Sequence, residues 1–156
     1  MEIRRGTVTE MYSLWYEQNT SEFFADNIES GNAEFWTVED KDRLIGELYI
    51  FFDADDKEFA DGKEIAYLCA FRIAEAMRGK GLGTLLICRV FERLKELGYS
   101  YATIGVDTGE ERNIKLYNKL GFLNKVKSLS VDPFNVDSHS NALPCEEYML
   151  LKKCLI

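Results

Sequence analysis

The stretch RGKGLG at residues 78–83 decides the fold that this sequence predicts. It follows residues 64–74, a mostly apolar segment typical of a buried strand, and leads into residues 81–97, where apolar side chains recur at helical spacing. The first backbone N–H groups of a helix have no partner within the helix, and the helix dipole adds partial positive charge there. Glycines let an anion approach these amides, so the segment predicts a phosphate cradle between a strand and a helix.

Spacing excludes two common phosphate-binding loops. A dinucleotide-binding loop of the form G-x-G-x-x-G that began at Gly79 would need a glycine where Thr84 stands. A P-loop would need Gly-Lys-Ser or Gly-Lys-Thr, and neither occurs in this segment. Arg78 and Lys80 supply local positive charge in a chain whose net charge is −8. That net charge argues against a nucleic-acid partner.

The rest of the chain alternates strands and helices. Further strands are predicted at residues 2–5, 34–38, 43–52, 101–107, 125–132 and 147–154. Further helices are predicted at residues 10–17 and 21–30, with a last one that ends at Leu120. Thr108 and Glu111 are expected to form a capping box for this last helix, and Pro133 and Pro144 to lie in the loop between the last two strands. This order predicts an α/β sandwich with a mixed sheet.

Length and composition indicate a single domain over residues 1–156, with a globular content of 46% hydrophobic and 29% charged residues. No apolar run approaches the roughly 20 residues that span a bilayer, and no signal peptide is visible, so we expect a cytoplasmic protein without a membrane partner. The four cysteines form no C-x-x-C pair, and the single histidine, His139, has no zinc-ligand spacing to any of them. We therefore expect reduced, buried cysteines and no metal.

Residues 78–83 resemble the acyl-CoA-binding motif Q/R-x-x-G-x-G/A of the GNAT superfamily of N-acetyltransferases, and the element order is similar across nearly the whole chain. The resemblance implies a central mixed, mostly antiparallel sheet of about seven strands flanked by helices. It also implies that acetyl-CoA inserts into a gap between the strands at residues 64–74 and 101–107. The cofactor contacts that it implies are Phe71, Arg72 and Ile73 along the pantetheine arm, and Arg78, Gly79, Lys80, Gly81, Leu82, Gly83 and Thr84 around the pyrophosphate. Where many members carry a proline and then an aromatic residue before the arginine, this chain has Glu75 and Met77.

Residues 113–122 resemble a second family signature, N-x-x-A-x-x-L-Y-x-K-x-G-F, at Leu116, Tyr117, Lys119, Gly121 and Phe122. The resemblance implies that Tyr117 stands near the CoA sulfur as the general acid, since a phenol can protonate a departing thiolate of comparable basicity. The asparagine that contacts CoA in the family falls on Glu110 here. Asn113 lies one helical turn away on nearly the same face and is the candidate to replace that contact.

The resemblance implies transfer of an acetyl group from acetyl-CoA to a primary amine, by direct attack in a ternary complex. Glu75 and Glu64 are the candidates for the general base, with Glu47 as a third, and a chain of water molecules would serve as well. The acceptor would be a small-molecule or peptide amine, and similar domains often form homodimers. The alternative is a non-catalytic acyl-CoA-binding sensor or regulatory module.

Two features of the sequence leave the acceptor open. The acidic loop at residues 53–61 would attract a cationic amine, although a solvated loop that keeps a strand edge soluble is the favoured interpretation. The family places acceptor specificity in the N-terminal half, which is rich in aromatic residues here, but most of these fall at core-like spacing.

Overall fold

The computed structural model describes residues 1–156, and all its strands join in one seven-stranded sheet. The strands are β1 (Glu2–Arg5), β2 (Ala33–Asp40), β3 (Arg43–Phe51), β4 (Ile65–Ile73), β5 (Tyr101–Asp107), β6 (Asn124–Val136) and β7 (Ala142–Cys154). Their order across the sheet is β1-β2-β3-β4-β5-β7-β6. Only β4 and β5 run parallel, and every other neighbouring pair is antiparallel. The predicted mixed, mostly antiparallel sheet is therefore confirmed.

Helices cover both faces of this sheet. They are α1 (Val8–Tyr12), α2 (Gln18–Glu29), α3 (Leu82–Glu96) and α4 (Glu111–Lys119), with a short 3-10 helix at Glu75–Met77. Successive side chains of β3 point to opposite faces, so Leu48 and Ile50 pack in the core beneath α3, whereas Tyr49 and Phe51 pack in the core beneath α1 and α2. The double coverage explains why β3 is buried along most of its length.

The sheet opens where β4 and β5 stop pairing. Their parallel ladder ends at the pair of Leu68 and Ile104, while β4 continues to Ile73 alongside β3 and β5 continues to Asp107 alongside β7. Strand β4 contains a β-bulge next to this opening, because the three residue steps from Cys69 to Arg72 pair with only two steps, from Tyr49 to Glu47, on β3. Within the bulge, Ala70 has a positive φ of 52°. The gap predicted between these two strands is therefore present.

Three predictions of helix starts were wrong. The helix predicted at residues 21–30 spans Gln18–Glu29, because Glu17 caps it by accepting from the amides of Asn19 and Thr20. The first helix spans Val8–Tyr12 because Thr7 and Glu10 form a capping box, in which each side chain accepts from the other residue's backbone N–H. The capping box predicted from Thr108 and Glu111 does not form. The Thr108 hydroxyl instead donates to the Glu147 carbonyl at 3.2 Å, and α4 begins after Glu110 without a side-chain cap.

The two prolines lie in strands and not in a loop. Pro133 belongs to β6, which is an edge strand, and Pro144 belongs to β7. Strand β5 pairs only with the Tyr148–Cys154 part of β7, so the first residues of β7 pair with β6 alone and form a two-stranded arm. A proline is tolerated there because one side of the strand needs no N–H donor.

All four cysteines are free thiols. The expectation that they are buried was wrong for Cys88, Cys145 and Cys154, which are exposed, and Cys69 is partly buried. No helix combines the length and the apolar composition that crossing a bilayer requires. No group of three or more His, Cys, Asp or Glu side chains is arranged to hold a metal ion.

Candidate active site

A cleft of about 580 Å³ lies where β4 and β5 separate. The structure brings the two sequence motifs together around it, since the start of α3 forms one wall and α4 forms the other. Every predicted cofactor-binding residue except Lys80 lines this cleft: Phe71, Arg72, Ile73, Arg78, Gly79, Gly81, Leu82, Gly83, Thr84, Asn113 and Tyr117. The side chain of Lys80 is exposed, and its Nζ lies 3.9 Å from Met77 Sδ.

The backbone of the cradle is open to an anion. Gly79 and Gly81 have φ values of +80° and +78°, a conformation that glycine adopts without strain, and no atom lies within 4 Å of where their Cβ atoms would be. The amides of residues 79–84 donate to no acceptor within the chain. Consecutive free amides at the start of a helix fit a pyrophosphate group, so the residues present suit the nucleotide end of acetyl-CoA.

Arg78 fastens this cradle to the end of β4. Its Nε donates to the carbonyl oxygen of Ile73 at 2.9 Å. Gly83 lets the first turn of α3 approach β4 closely, because a Cβ there would lie 2.7 Å from Cζ of Phe71. The cradle is thus held against the strand at two points, and the guanidinium groups of Arg72, Arg78 and Arg112 give the cleft its positive charge.

Tyr117 reaches the same cleft from α4. Its side chain is 6% exposed, and its hydroxyl has no hydrogen-bond partner within the chain. Burial, with a smaller contribution from the charge of Glu110, raises the pKa of Tyr117 to about 12. The phenol therefore keeps its proton throughout the neutral range and remains a proton donor.

The first turn of α4 adds residues that the sequence analysis did not assign. Glu110 lines the cleft, and Asn113 Nδ2 donates to its Oε2 at 3.0 Å, so these two residues together occupy the region of the family asparagine. Arg112 also lines the cleft. The only signal for it in the sequence was a cationic residue within a segment that already resembled a cofactor motif.

The three candidate bases lie in different surroundings. Glu47 is 6% exposed, lies 3.2 Å from a guanidinium nitrogen of Arg72, and accepts from the Tyr49 hydroxyl at 3.0 Å. Burial raises the pKa of Glu47, although Arg72 acts in the opposite direction. Glu75 is exposed on the 3-10 helix and lines a small cavity together with Glu47. Glu64 precedes β4 at the end opposite the cleft, where its carbonyl accepts from the amide of Ser100.

A second cavity, of about 520 Å³, lies on the α1–α2 side of the sheet opening. Arg72 lines both cavities and therefore marks their junction. The guanidinium of Arg72 lies 5.5 Å from the ring centroid of Trp15, and Trp15 Nε1 donates to the Tyr49 hydroxyl at 2.9 Å. Hydrogen bonds thus connect Trp15, Tyr49 and Glu47 beneath the junction.

Comparison with known proteins agrees with this geometry. The family model described as "Acetyltransferase (GNAT) family" matches residues 2–122. The protein described as "Uncharacterized N-acetyltransferase YdgE" from Bacillus subtilis (strain 168) is 31% identical over 122 residues, which are 77% of this chain and 74% of that protein.

Solved structures share the fold over the full length. The protein smu.2055 from Streptococcus mutans UA159 has a TM-score of 0.71 and 21% identity, with 100% of both chains covered. A GNAT family acetyltransferase from Elizabethkingia anophelis, solved with acetyl-CoA bound, has a TM-score of 0.67 and 17% identity, with 98% of this chain and 97% of that chain covered. The family match and the shared fold lead to one conclusion, that this chain belongs to the GNAT acetyltransferase family.

Proposed function

We propose that this protein transfers the acetyl group of acetyl-CoA to the primary amine of an acceptor, by direct attack in a ternary complex. The observation that carries the proposal is that the free amides of residues 79–84 and the buried phenol of Tyr117 open onto one cleft. The amides suit the pyrophosphate of acetyl-CoA, and the phenol suits its departing sulfur. Membership of the GNAT family supports acetyl-CoA as the donor.

Each residue then has a defined task. The cradle and Arg78 bind the pyrophosphate, and the β4 backbone beyond Leu68, which lacks a partner on β5, orients the pantetheine arm. The acceptor nitrogen forms a bond to the thioester carbonyl carbon, the carbon–sulfur bond breaks, and Tyr117 gives its proton to the thiolate. The proton that the nitrogen loses passes to a base or to water.

Among the three carboxylates, Glu47 is the best-supported base. It is buried beside the junction of the two cavities, whereas Glu75 is exposed and Glu64 lies at the far end of β4. A raised pKa suits a group that must accept a proton near neutral pH. We propose that Glu47 accepts the proton through water, with Arg72 orienting its carboxylate.

A non-catalytic sensor that only binds acyl-CoA is the second candidate, and it does not require a buried phenol in the cleft. Calorimetric titration with acetyl-CoA tests binding, and an assay for released CoA thiol with a panel of primary amines tests turnover. We expect binding together with thiol release that depends on the amine. Binding without turnover on any amine would favour the sensor, and no binding of acetyl-CoA or CoA would overturn both candidates.

A homodimer and a cytoplasmic location, both expected from the sequence, stay predictions. Size-exclusion chromatography with light scattering tests the first directly.

A further inference from the structure

The second cavity has the size and composition of a small-molecule site. Its volume of about 520 Å³ falls within the usual range of ligand pockets. Aromatic rings form much of its wall: Trp15, Tyr16, Phe24, Tyr67, Phe134 and Tyr148. Three carboxylates also line it, on Glu17, Asp107 and Asp132, against the single cation of Arg72. Aromatic faces and carboxylates together favour a ligand that carries positive charge.

None of these three carboxylates has a cationic partner. Glu17 accepts from the backbone amides of Asn19 and Thr20 as the cap of α2, so its oxygens are partly engaged. The charge of Arg72 is offset by Glu47. Asp132 accepts only the amide of Phe134, at 2.9 Å, and the carboxylate of Asp107 makes no hydrogen bond or ion pair. Asp132 is partly buried, whereas Asp107 is exposed. Partly buried carboxylates are normally paired, so Asp132 lacks the partner that a cationic ligand would supply, and Asp107 adds a further negative charge that water solvates.

An unpartnered phenol points to the same conclusion. Tyr67 is 5% exposed, lines this cavity, and has a hydroxyl with no hydrogen-bond partner within the chain. The only fully buried side-chain nitrogen or oxygen without a hydrogen-bond partner is Arg89 Nη1, so the Tyr67 hydroxyl is open to the cavity and available to a ligand. Tyr67 lies one residue before the end of the parallel ladder, next to the opening of the sheet.

A glycine keeps the opening clear beside this phenol. Gly105 is the first residue of β5 beyond the ladder, and it also lines the cavity. A Cβ there would lie 3.2 Å from Cδ2 of Tyr148 and 3.4 Å from the hydroxyl oxygen of Tyr67. The absence of a side chain therefore leaves room inside the second cavity, beside the Tyr67 hydroxyl.

The chemistry of the transfer places a further condition on the ligand. The attacking nitrogen must be uncharged, because a protonated amine has no lone pair. The partly buried carboxylate of Asp132, in contrast, favours a positively charged group. A molecule with two amino groups meets both conditions, and a monoamine meets only one.

We infer that the acceptor is a small organic diamine whose protonated amino group binds to Asp132 in the second cavity. Its uncharged amino group then faces the acetyl-CoA cleft past Tyr67. This inference rests on the proposed acetyltransferase function.

A matched pair of acceptors tests the inference, since 1,4-diaminobutane and butylamine differ only in the second amino group. CoA release is measured with both, and with a short peptide that has a free N-terminus. We expect kcat/KM for the diamine to exceed that for butylamine roughly tenfold or more, the value of a hydrogen bond to a charged group. Asp132→Asn should remove most of this advantage, measured as the ratio of kcat/KM for the diamine to kcat/KM for butylamine. The asparagine keeps an acceptor for the Phe134 amide, and thermal unfolding together with acetyl-CoA titration checks that the variant is folded.

Asp55→Asn is the matched control, because it removes one negative charge from the exposed acidic loop, where Asp55 makes no ion pair. It should leave the preference for the diamine intact. Tyr67→Phe, a second variant, should lower kcat/KM for the diamine without changing acetyl-CoA binding. Three outcomes would overturn the inference but leave the acetyltransferase proposal standing. They are equal rates for diamine and butylamine, a preference for the peptide, and the same loss with both amines in Asp132→Asn. Acetyl-CoA binding without transfer to any amine would instead overturn the proposed function.

Discussion

The carboxylate of Glu47 lies 3.2 Å from the guanidinium of Arg72, and Arg72 lines both the cleft proposed for acetyl-CoA and the second cavity. The ion pair of Glu47 and Arg72 therefore places a buried carboxylate next to the junction of the two cavities, where donor and acceptor would meet. Arg72 is about half exposed at 54%, whereas the side chain of Glu47 is 8% exposed. The Arg72 side chain lines both cavities, and its ion pair with the buried Glu47 carboxylate holds the guanidinium in place.

Glu47→Gln tests the general base. The pKa of Glu47 is raised above its ordinary value of 4.5, and the active form of a base is the deprotonated one, so activity should fall as the pH drops through that raised pKa. The glutamine variant should lose about 100-fold in kcat at neutral pH and lose this acidic limb of the pH–rate profile. The control variants Glu75→Gln and Glu64→Gln should keep the wild-type kcat and the acidic limb of the profile. A Glu47→Gln enzyme that retains the wild-type profile would exclude Glu47 as the base.

Tyr117→Phe tests the general acid. Because the phenol remains protonated throughout the neutral range, its loss should reduce kcat about 100-fold or more, with little change in the affinity for acetyl-CoA. Steady-state kinetics and calorimetric titration separate the two effects. Tyr101→Phe is the control, since Tyr101 begins β5 at the end away from the cleft. Equal losses of kcat and affinity in Tyr117→Phe would make Tyr117 a binding residue.

Gly81→Ala tests the cradle. With a φ of +78° and open space around the missing Cβ, the substitution strains the backbone without a clash. That strain should cost about 1 kcal/mol or more and displace the amides, so the Kd for acetyl-CoA should rise roughly tenfold. Gly31→Ala, with a φ of +84° and equally open space, imposes the same strain at the end of α2. It should lower the melting temperature and leave the Kd unchanged.

A buried ion pair fixes α3 to the sheet, and its rupture should destabilise the fold. Glu34 on β2 is 5% exposed and accepts from Arg93 on α3 at 2.8 Å and 3.1 Å. Arg93→Leu leaves this carboxylate without its main partner and should reduce the free energy of unfolding by about 2 kcal/mol or more, as measured in urea.

The double variant Glu34→Gln/Arg93→Leu identifies the cause of that loss. Glutamine removes the charge but still accepts from Trp36 Nε1, which lies 3.0 Å from Glu34 Oε1. The double variant should therefore be more stable than Arg93→Leu alone. The deficit of the single variant should also shrink as the pH falls, because protonation neutralises the carboxylate, for which Arg5 at 3.7 Å is then the remaining cation. If the double variant is the less stable of the two, lost packing by the arginine, and not the charge, explains the effect.

The side of the site proposed for acetyl-CoA could be anticipated from the sequence because each of its two motifs is a short continuous segment. Glycines 79, 81 and 83 lie in one turn, and Tyr117 belongs to one helix, so local patterns and the family resemblance were sufficient. Arg112 was missed because a cation at the start of a helix has many roles, and only the fold shows that it faces the cleft.

The second cavity could not be predicted, because long-range pairing forms it. Asp107 ends β5 and Asp132 lies on β6, and β7, which follows both in the chain, lies between these strands in the sheet. No spacing in the sequence relates the two carboxylates. The bulge at Ala70 was equally hidden, because a φ of 52° at an alanine follows from its surroundings and not from its own preference.

The short parallel ladder has a mechanical consequence. Four residue pairs, from Ile65 with Tyr101 to Leu68 with Ile104, are the only strand pairing between the β1–β4 half of the sheet and the β5–β7–β6 half. Only a few backbone hydrogen bonds therefore join the two halves along this seam, and a cosubstrate in the opening would contact both halves. We therefore expect bound acetyl-CoA to hold the two halves together, which would stiffen the whole domain and slow amide hydrogen exchange along the seam. Turnover would then alternately stiffen and relax the domain, once in each catalytic cycle.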